Sequence, residues 1–384
     1  MIPKSGIMED YMDYINKIKN LKNLKNNLNI NEINSFINIE KTFDDLEKLH
    51  LFLLSEIKKL HENEISIENA DICKVSINAL DCLDKCEDTK IGGRIYFLNN
   101  DLATYYIFGD IHSDSISVIE FLKRINFIET VQNEQKTRLI FLGDYVDRGK
   151  GTIKTLELIL VLKYLFPSNI FLLRGNHDGG SIISEIEYKL CVGRNENTTD
   201  EDYFVASLFN SLKKLNKPLT LLEEYLNLFS RLCHLALIKN GDEVVLCVHG
   251  GIPRPINDDY DHIKSISDLW NEGIIDSLEG SIIHNMLWSD PTEDTTLQRS
   301  TRRFYFYKTH FDNFTEKLSI SKIIRGHQAF DEGYKEFFNG RLISIFSSGD
   351  MSPDLKENNN ETAYKDITPC ILKLHDGKKE IVRL

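Results

Sequence analysis

Six side chains of metal-binding type stand at or just after apolar runs in this sequence: Asp110, His112, Asp144, Asn176, His249 and His327. The runs are YYIFGDIH (105–112), RLIFLGDYVDRG (138–149), NIFLLRGNHD (169–178), EVVLCVHGG (243–251) and KIIRGHQ (322–328). Two carboxylates, one amide oxygen and three imidazoles form a mixed oxygen and nitrogen set. Such a set suits Mn, Fe or Zn better than Ca or Mg, which favour all-oxygen shells. Six protein ligands are too many for one catalytic metal, which must keep open positions. They suit two metals that share a bridging carboxylate, and Asp144, a lone acid at the tip of a buried strand, is the natural bridge. Two ions ~3.5–4 Å apart can hold a hydroxide between them and clamp the oxygens of a phosphate ester.

In-line attack on phosphorus also needs positive donors for the equatorial oxygens and a proton for the leaving oxygen. Arg148 lies four residues after Asp144, and a guanidinium grips phosphate with two parallel bonds. His177 directly follows Asn176. Adjacent side chains in an extended loop diverge, so Asn176 can face metal while His177 faces the leaving group. Asp147 is placed to hold the His177 imidazolium, as an acid–histidine pair. A lone Gly-Asp after a strand is ordinarily a turn, and a lone His-Gly-Gly a loop. Five such strand ends in one chain together supply a full binuclear set.

These blocks resemble those of a known family. GDIH (109–112), GDYVDRG (143–149), GNHD (175–178), HGG (249–251), LWSDP (287–291) and GH (326–327) are similar to the signatures of the PPP-type metallophosphatases. Those are serine/threonine phosphoprotein phosphatases of the calcineurin-like superfamily. The resemblance spans roughly residues 92–375. It implies an α/β fold, a central β-sandwich of mixed sheets flanked by helices, with the metals at one edge. It assigns Asp110, His112 and Asp144 to one metal, and Asp144, Asn176, His249 and His327 to the other. It makes His177 the general acid with Asp147 behind it, and Arg148 a phosphate ligand. It places a second phosphate arginine within QRSTRRFYFY, where Arg302 matches best and Arg299 and Arg303 compete. Three departures stand out. Ser113 replaces a Gly, Asp178 replaces a Glu, and FSSGDMSPDLKENNN replaces the family's Tyr-Cys loop.

The elements that must position these residues alternate between strand and helix patterns. Arg94 to Leu98 and Leu102 to Phe108 read as two strands of a hairpin. Helical stretches are expected at 115–128 and 152–166, and a sixth apolar run, RLISIFSSGD, follows at 341–350. This is β-α-β traffic, and open α/β sheets place their sites beyond the strand carboxyl ends. Residues 1–90 read instead as a helical appendage, and 91–384 as the catalytic domain. Ile15, Ile18, Leu21, Leu24 and Leu28 recur at a helical period. Phe43, Leu46, Leu49, Leu53, Ile57 and Leu60 do so too, behind a Thr42–Asp45 cap. A third helix is expected from Ala70 to Leu83. The appendage packs on the main body or docks a substrate or regulatory partner.

The 384 residues carry 46 basic against 59 acidic side chains, a net charge of -13. That balance argues against a nucleic-acid binder. Seven irregularly spaced cysteines make no disulfide framework, and no run approaches the ~20 apolar residues of a membrane span. The N-terminus does not read as a secretory signal peptide. A reducing, cytoplasmic compartment is expected, with export through some other signal left open. His234 and His284, in apolar stretches expected to be helical, and Trp270 and Trp288 read as packing residues, and His310 as a side chain near the arginine segment. The aromatic run 304–307 reads as a groove wall or a buried strand. The function these features indicate is a metal-dependent phosphomonoesterase acting on phosphoserine or phosphothreonine in proteins. A nucleotide phosphatase or pyrophosphohydrolase, or a weakly active pseudophosphatase that binds partners, are the alternatives.

Overall fold

The fold comes from a computed structural model, which describes residues 13–64, 70–85, 89–91, 94–100, 102–134, 136–270, 281–294, 296–297, 303–349 and 364–384. The chain begins with helices α1 (Tyr14–Asn23), α2 (Ile30–Ile37), α3 (Phe43–Asn63), α4 (Ala70–Val75) and α5 (Ala79–Lys85). Strands β1 (Thr89–Ile91), β2 (Ile95–Leu98) and β3 (Thr104–Phe108) follow, then α6 (Ser115–Arg124) and α7 (Phe127–Glu134). Next come β4 (Thr137–Phe141), α8 (Thr152–Leu165), β5 (Ile170–Leu172), β6 (Ser181–Ser184) and β7 (Glu187–Lys189). After α9 (Phe204–Lys214) and α10 (Thr220–Arg231) lie β8 (Leu235–Asn240) and β9 (Glu243–Val248). The last stretch holds α11 (Ile282–Trp288), β10 (Asp290–Pro291), β11 (Tyr305–Phe306) and α12 (Lys308–Leu318). It closes with β12 (Lys322–Arg325), β13 (Tyr334–Phe337), β14 (Leu342–Ile345), β15 (Cys370–His375) and β16 (Lys378–Arg383).

Two mixed sheets stack face to face. One has the order β1-β2-β8-β9-β12-β14-β13, the other β16-β15-β3-β4-β5. Strand side chains alternate between faces, and the alternation sorts the core. Tyr96, Leu98, Ala236, Ile238, Tyr105, Ile107 and Ile140 fill the space between the sheets. Their neighbours Phe97, Leu235 and Leu237 face outward under α5, α11 and α12. Phe108, Leu139 and Phe141 face outward on the other side, under α6, α8 and α9. The result is the helix-flanked β-sandwich that the family resemblance implies.

Helix α8 explains why the N-terminal helices sit where they do. Twelve of its 14 residues are buried, and the apolar ones surround its axis. A helix apolar all round needs cover on every side. The sheet covers one side, and α1, α2 and α3 share the same core on the other. Charges are matched across that contact. Lys41 Nζ lies 2.9 Å from buried Glu157 of α8, and His50 Nε2 lies 3.3 Å from the same carboxylate. Thr42 caps α3 as its sequence suggests, accepting from Asp45 N–H at 3.2 Å.

Four local expectations are corrected. The hairpin over residues 94–108 does not form: β2 pairs in parallel with β8, while β3 pairs with β4 and β15 in the other sheet. Each strand finds a longer apolar partner than its neighbour offers. The helix expected over 70–83 is two, because Asn78 accepts from Leu80 N–H at 2.9 Å and starts a new one. That over 115–128 is also two, parted at Asn126 with φ +47°. His234 is not helical but sits just before β8. Helix α2, with an Asn29–Glu32 capping box, was not foreseen. Among the described residues, no helix is long and apolar enough to cross a membrane. Cys86 and Trp270's side chain lie outside what the structure describes, and the other cysteines form no disulfide.

Candidate active site

Every strand-end block delivers its side chain to one edge of the sandwich. Asp110 follows β3, Asp144 follows β4, Asn176 follows β5, His249 follows β9 and His327 follows β12. The chain turns sharply there, with positive φ at His112 (40°), Ser113 (68°), Asp144 (54°), Asp147 (67°), Arg148 (65°) and His327 (69°). Non-glycine residues adopt this region at a cost, and such strain collects at functional sites. The loops also approach closely. A Cβ on Gly143 would lie 2.1 Å from Gly175 N, and one on Gly175 would lie 2.1 Å from Asp144 Oδ1. Only glycine lets these two loops share Asp144.

The six expected ligands converge. His112 Nε2 lies 3.6 Å from Asp110 Oδ2 and 3.5 Å from Asp144 Oδ2, and His249 Nε2 lies 3.3 Å from Asp144 Oδ2. Asn176 Oδ1 is 2.7 Å from His249 Nε2 and 2.8 Å from His327 Nδ1. Two groups present donor atoms close enough for one ion each: His112, Asp144 and His177, and Asp144, His249 and His327. Asp144 belongs to both.

The donor set fits metal ions on a feature of its own hydrogen bonding. His112 Nδ1 lies 2.8 Å from Val146 O, and His249 Nδ1 lies 3.2 Å from Leu142 O. A backbone carbonyl takes the proton of one ring nitrogen, which leaves a lone pair on the other for a cation. His327 Nε2 is buried without a hydrogen-bond partner among the described residues. Burial also holds His112 neutral, with its pKa pressed down to about 3 despite the opposing Asp144 charge. Burial lowers His327 as well, aided by His249 and Arg325. Burial opposes charge on Asp144, yet the facing His249 and His177 imidazoles keep its carboxyl well below the ordinary range. Burial raises Asp110 to about 6, with His249 opposing and Asp144 adding to the rise. Two neutral imidazoles, His112 and His327, beside the Asp144 carboxylate offer a cation lone pairs and charge. At His249 burial opposes the imidazolium, but Asp144 outweighs it and raises the pKa.

Beside this floor stands a hydrogen-bonded histidine–carboxylate pair. Asp147 Oδ2 lies 2.8 Å from His177 Nδ1, while Asp147 Oδ1 accepts from Phe204 N–H at 2.7 Å. His177 N–H donates to Asp144 Oδ1 at 2.8 Å, so the floor fixes the backbone of His177. Burial disfavours the imidazolium, but Asp144 and Asp147 outweigh it and raise the His177 pKa. Two departures from the family pattern have structural answers. Ser113 takes the left-handed conformation a Gly would take, and its Oγ donates to Asp147 O at 3.0 Å and pairs with Thr152 Oγ1 at 2.6 Å. Asp178 accepts from the N–H groups of Asp144, Tyr145 and Gly175 at 2.7, 3.0 and 2.7 Å. Its short side chain suffices because the loops lie so close.

A pocket of about 350 Å³ opens over the floor. Arg148, His177, Arg194, Trp288, Arg303 and Tyr364 line it with the ligand residues. Arg299 and Arg302 lie outside the described residues, whereas Arg303 is placed. Arg303 Nη1 pairs with buried Asp290 at 2.8 Å, and its guanidinium lies 5.5 Å from the Trp288 ring centre. Asp290 is held in turn by fully buried Arg325 at 2.8 Å.

Sequence reasoning missed three rim residues. Trp288, read as packing, faces His327 at 5.7 Å. The LWSDP block contains it and Asp290, and was the available signal. Tyr364 stacks on His112 at 5.3 Å, and Arg194 pairs with Asp200 at 2.6 Å. Nothing in the sequence marks either. His310, in contrast, stacks on Tyr307 away from the pocket, and Phe304 and Phe306 are buried.

Comparison with known proteins points to one family. The family model described as calcineurin-like phosphoesterase matches residues 103–330. The serine/threonine-protein phosphatase 4 catalytic subunit of Saccharomyces cerevisiae is 32% identical over 247 residues, covering 63% of this chain and 68% of that protein. The protein of the same name from Eremothecium gossypii is also 32% identical over 247 residues, covering 63% of this chain and 67% of its own length. A solved Saccharomyces cerevisiae protein serine/threonine phosphatase, similar to human phosphatase PP5, superposes with a TM-score of 0.54. That likeness spans 87% of this chain and 89% of the other at 18% identity, and it speaks to fold.

Proposed function

The chain belongs to the calcineurin-like phosphoesterase family, in its serine/threonine protein phosphatase branch, and from that premise we propose how its residues hydrolyse phosphoserine and phosphothreonine esters in proteins. The observation that carries the reading is the meeting of the His177–Asp147 pair and two arginines over one floor of converging metal donors. Asp110, His112 and Asp144 would hold one metal ion, and Asp144, Asn176, His249 and His327 the other, with Mn, Fe or Zn suited to the set. When bound, such ions supply Lewis-acid stabilisation of phosphoryl charge and an activated water.

The remaining work falls to side chains. Arg148 and Arg303 bind the phosphoryl oxygens, and Asp290 holds Arg303 at the rim. Asp147 accepts the Nδ1 proton of His177, so the transferable proton sits at Nε2. His177 donates that proton to the ester oxygen of serine or threonine as its bond to phosphorus breaks, and becomes neutral. Asp147 then lets the ring regain a proton without moving. Residues 1–90 form a helical region and 91–384 the catalytic domain in this reading. Among the described residues, none of the side chains lining the pocket comes from residues 1–90. Of these residues, α1–α3 cover α8, α4 and α5 pack in the core outside the other sheet, and the whole serves to dock a phosphoprotein or regulatory partner.

The test is turnover by the manganese-loaded chain on a panel of phosphoserine, phosphothreonine and phosphotyrosine peptides beside nucleotides. Serine and threonine peptides should dominate. A preference for nucleotides would replace the reading with a nucleotide phosphatase, and two bound metals without turnover would make this a binding protein.

A further inference from the structure

A second cleft, of about 410 Å³, lies between α3, α9 and the turn that enters α8. It shares no residue with the active-site pocket. Phe43 and Leu46 of α3, Ile153 of α8, and Phe204 and Leu208 of α9 make its interior apolar. Its mouth carries exposed Lys150 and Lys214 against a single acid, Glu201. Neither lysine makes an ion pair or hydrogen bond among the described residues. The volume falls within the roughly 300–1,000 Å³ of pockets that take small molecules. An apolar body would fill the interior, and an anionic head would meet the two lysines. A cationic head would meet like charge.

The walls of this cleft hold the catalytic loop. Phe204 supplies the N–H that binds Asp147 Oδ1 at 2.7 Å. Thr152 meets Ser113 Oγ at 2.6 Å, and that hydroxyl donates to Asp147 O at 3.0 Å. Gly149, also on the wall, directly follows Arg148. Phe204 packs edge-on against Tyr225, which bonds to His50 of α3. An occupant therefore touches the supports of Asp147 from two directions, and bridges α3 to the loop that orients His177.

We propose that this cleft is a regulatory site for a small apolar carboxylate. Its effect on turnover rests on the activity assigned above, whereas binding does not. The probe is 2-naphthoate, titrated by calorimetry into the metal-loaded full chain, with 2-naphthylmethylamine as the charge-reversed control. Turnover of an aryl phosphate is followed in parallel. One naphthoate should bind per chain and change turnover about fivefold, an ordinary allosteric coupling. The amine should not bind. Ser211→Trp fills the cleft from α9 and should abolish binding and effect while basal turnover stays within about twofold. Lys214→Glu should weaken binding about fivefold. The proposal is overturned if the amine binds as well as the acid, if Ser211→Trp still binds naphthoate, or if saturation leaves turnover unchanged. A chain that binds naphthoate but hydrolyses no phosphate ester sinks the assigned activity and the regulatory role with it, leaving the binding site standing.

Discussion

The floor of the pocket and its rim are built on opposite principles. Floor residues follow their strands within a few positions, are almost wholly buried, and sit in backbone turns that leave one arrangement. Asp110, Asp144 and His249 are each at most 1% exposed. Rim residues come from distant loops. Arg194, Trp288, Arg303 and Tyr364 span 170 positions and are partly exposed. The rim residues are held from behind, as Arg303 is by Asp290 and Asp290 by Arg325. In the proposed reading the floor carries the metal chemistry, and the rim, through Arg303, adds to the phosphate grip and meets the rest of the ester.

The strongest way to probe this contrast is at the acid. His177→Asn should lower turnover of alkyl phosphates by about 10²–10⁴. Aryl phosphates, whose leaving groups need less help, should lose less. Equal losses on both would reject the acid role and make His177 a binding residue.

Arg303→Ala at the rim and Arg148→Ala beside the floor should each weaken inhibition by product phosphate about 10–10²-fold, the worth of a charged hydrogen bond. Competition assays with inorganic phosphate measure it. If Arg303→Ala is silent while Arg302→Ala is not, the second phosphate arginine is Arg302, and the rim differs from its description here.

Ser113 lies beneath the floor, and its replacement should act only through position. Ser113→Gly relieves the left-handed backbone but removes the tie to Asp147 O. The loss should be about fivefold, worth one buried hydrogen bond. It should fall on alkyl more than aryl phosphates, because it loosens the partner of His177. A variant as active as wild type on both would show that the turn holds itself.

The smallest effect concerns stability. Burial presses the His234 pKa down to about 3, with Arg174 and Arg94 adding to it, so the folded chain keeps the ring neutral. The unfolded chain protonates it near pH 6.5. Its neutral form thus stabilises fully above that pH, and stability falls as pH drops from about 6.5 toward 3. The slope is at most ~1.4 kcal/mol per pH unit. Urea midpoints at pH 7 and 5 should differ less in His234→Leu than in wild type. An unchanged difference would mean that the ring is not kept neutral.

How much of this was legible in the sequence follows the same division. The floor was legible because chemistry and strand ends coincide within each block. GDYVDRG alone carries Asp144, Asp147 and Arg148. The rim was not, because Tyr364 reaches His112 from more than 250 positions away, with no local pattern. Sheet membership was also hidden. β2 and β3 are neighbours in sequence, and only their distant partners β8 and β4 decide that they part. The capped helix α3 was plain, while α4 and α5 were merged because one side-chain bond at Asn78 divides them.

The shared carboxylate is the centre of the account, and metal content tests it most directly. Elemental analysis of the purified chain, saturated with manganese and then dialysed, should find about two ions per chain. Asp144→Asn offers a neutral amide where two cations repel, so it should hold fewer ions and lose turnover while its circular dichroism stays that of the folded protein. One ion or none in the wild-type chain, or two ions and full turnover in Asp144→Asn, would contradict it.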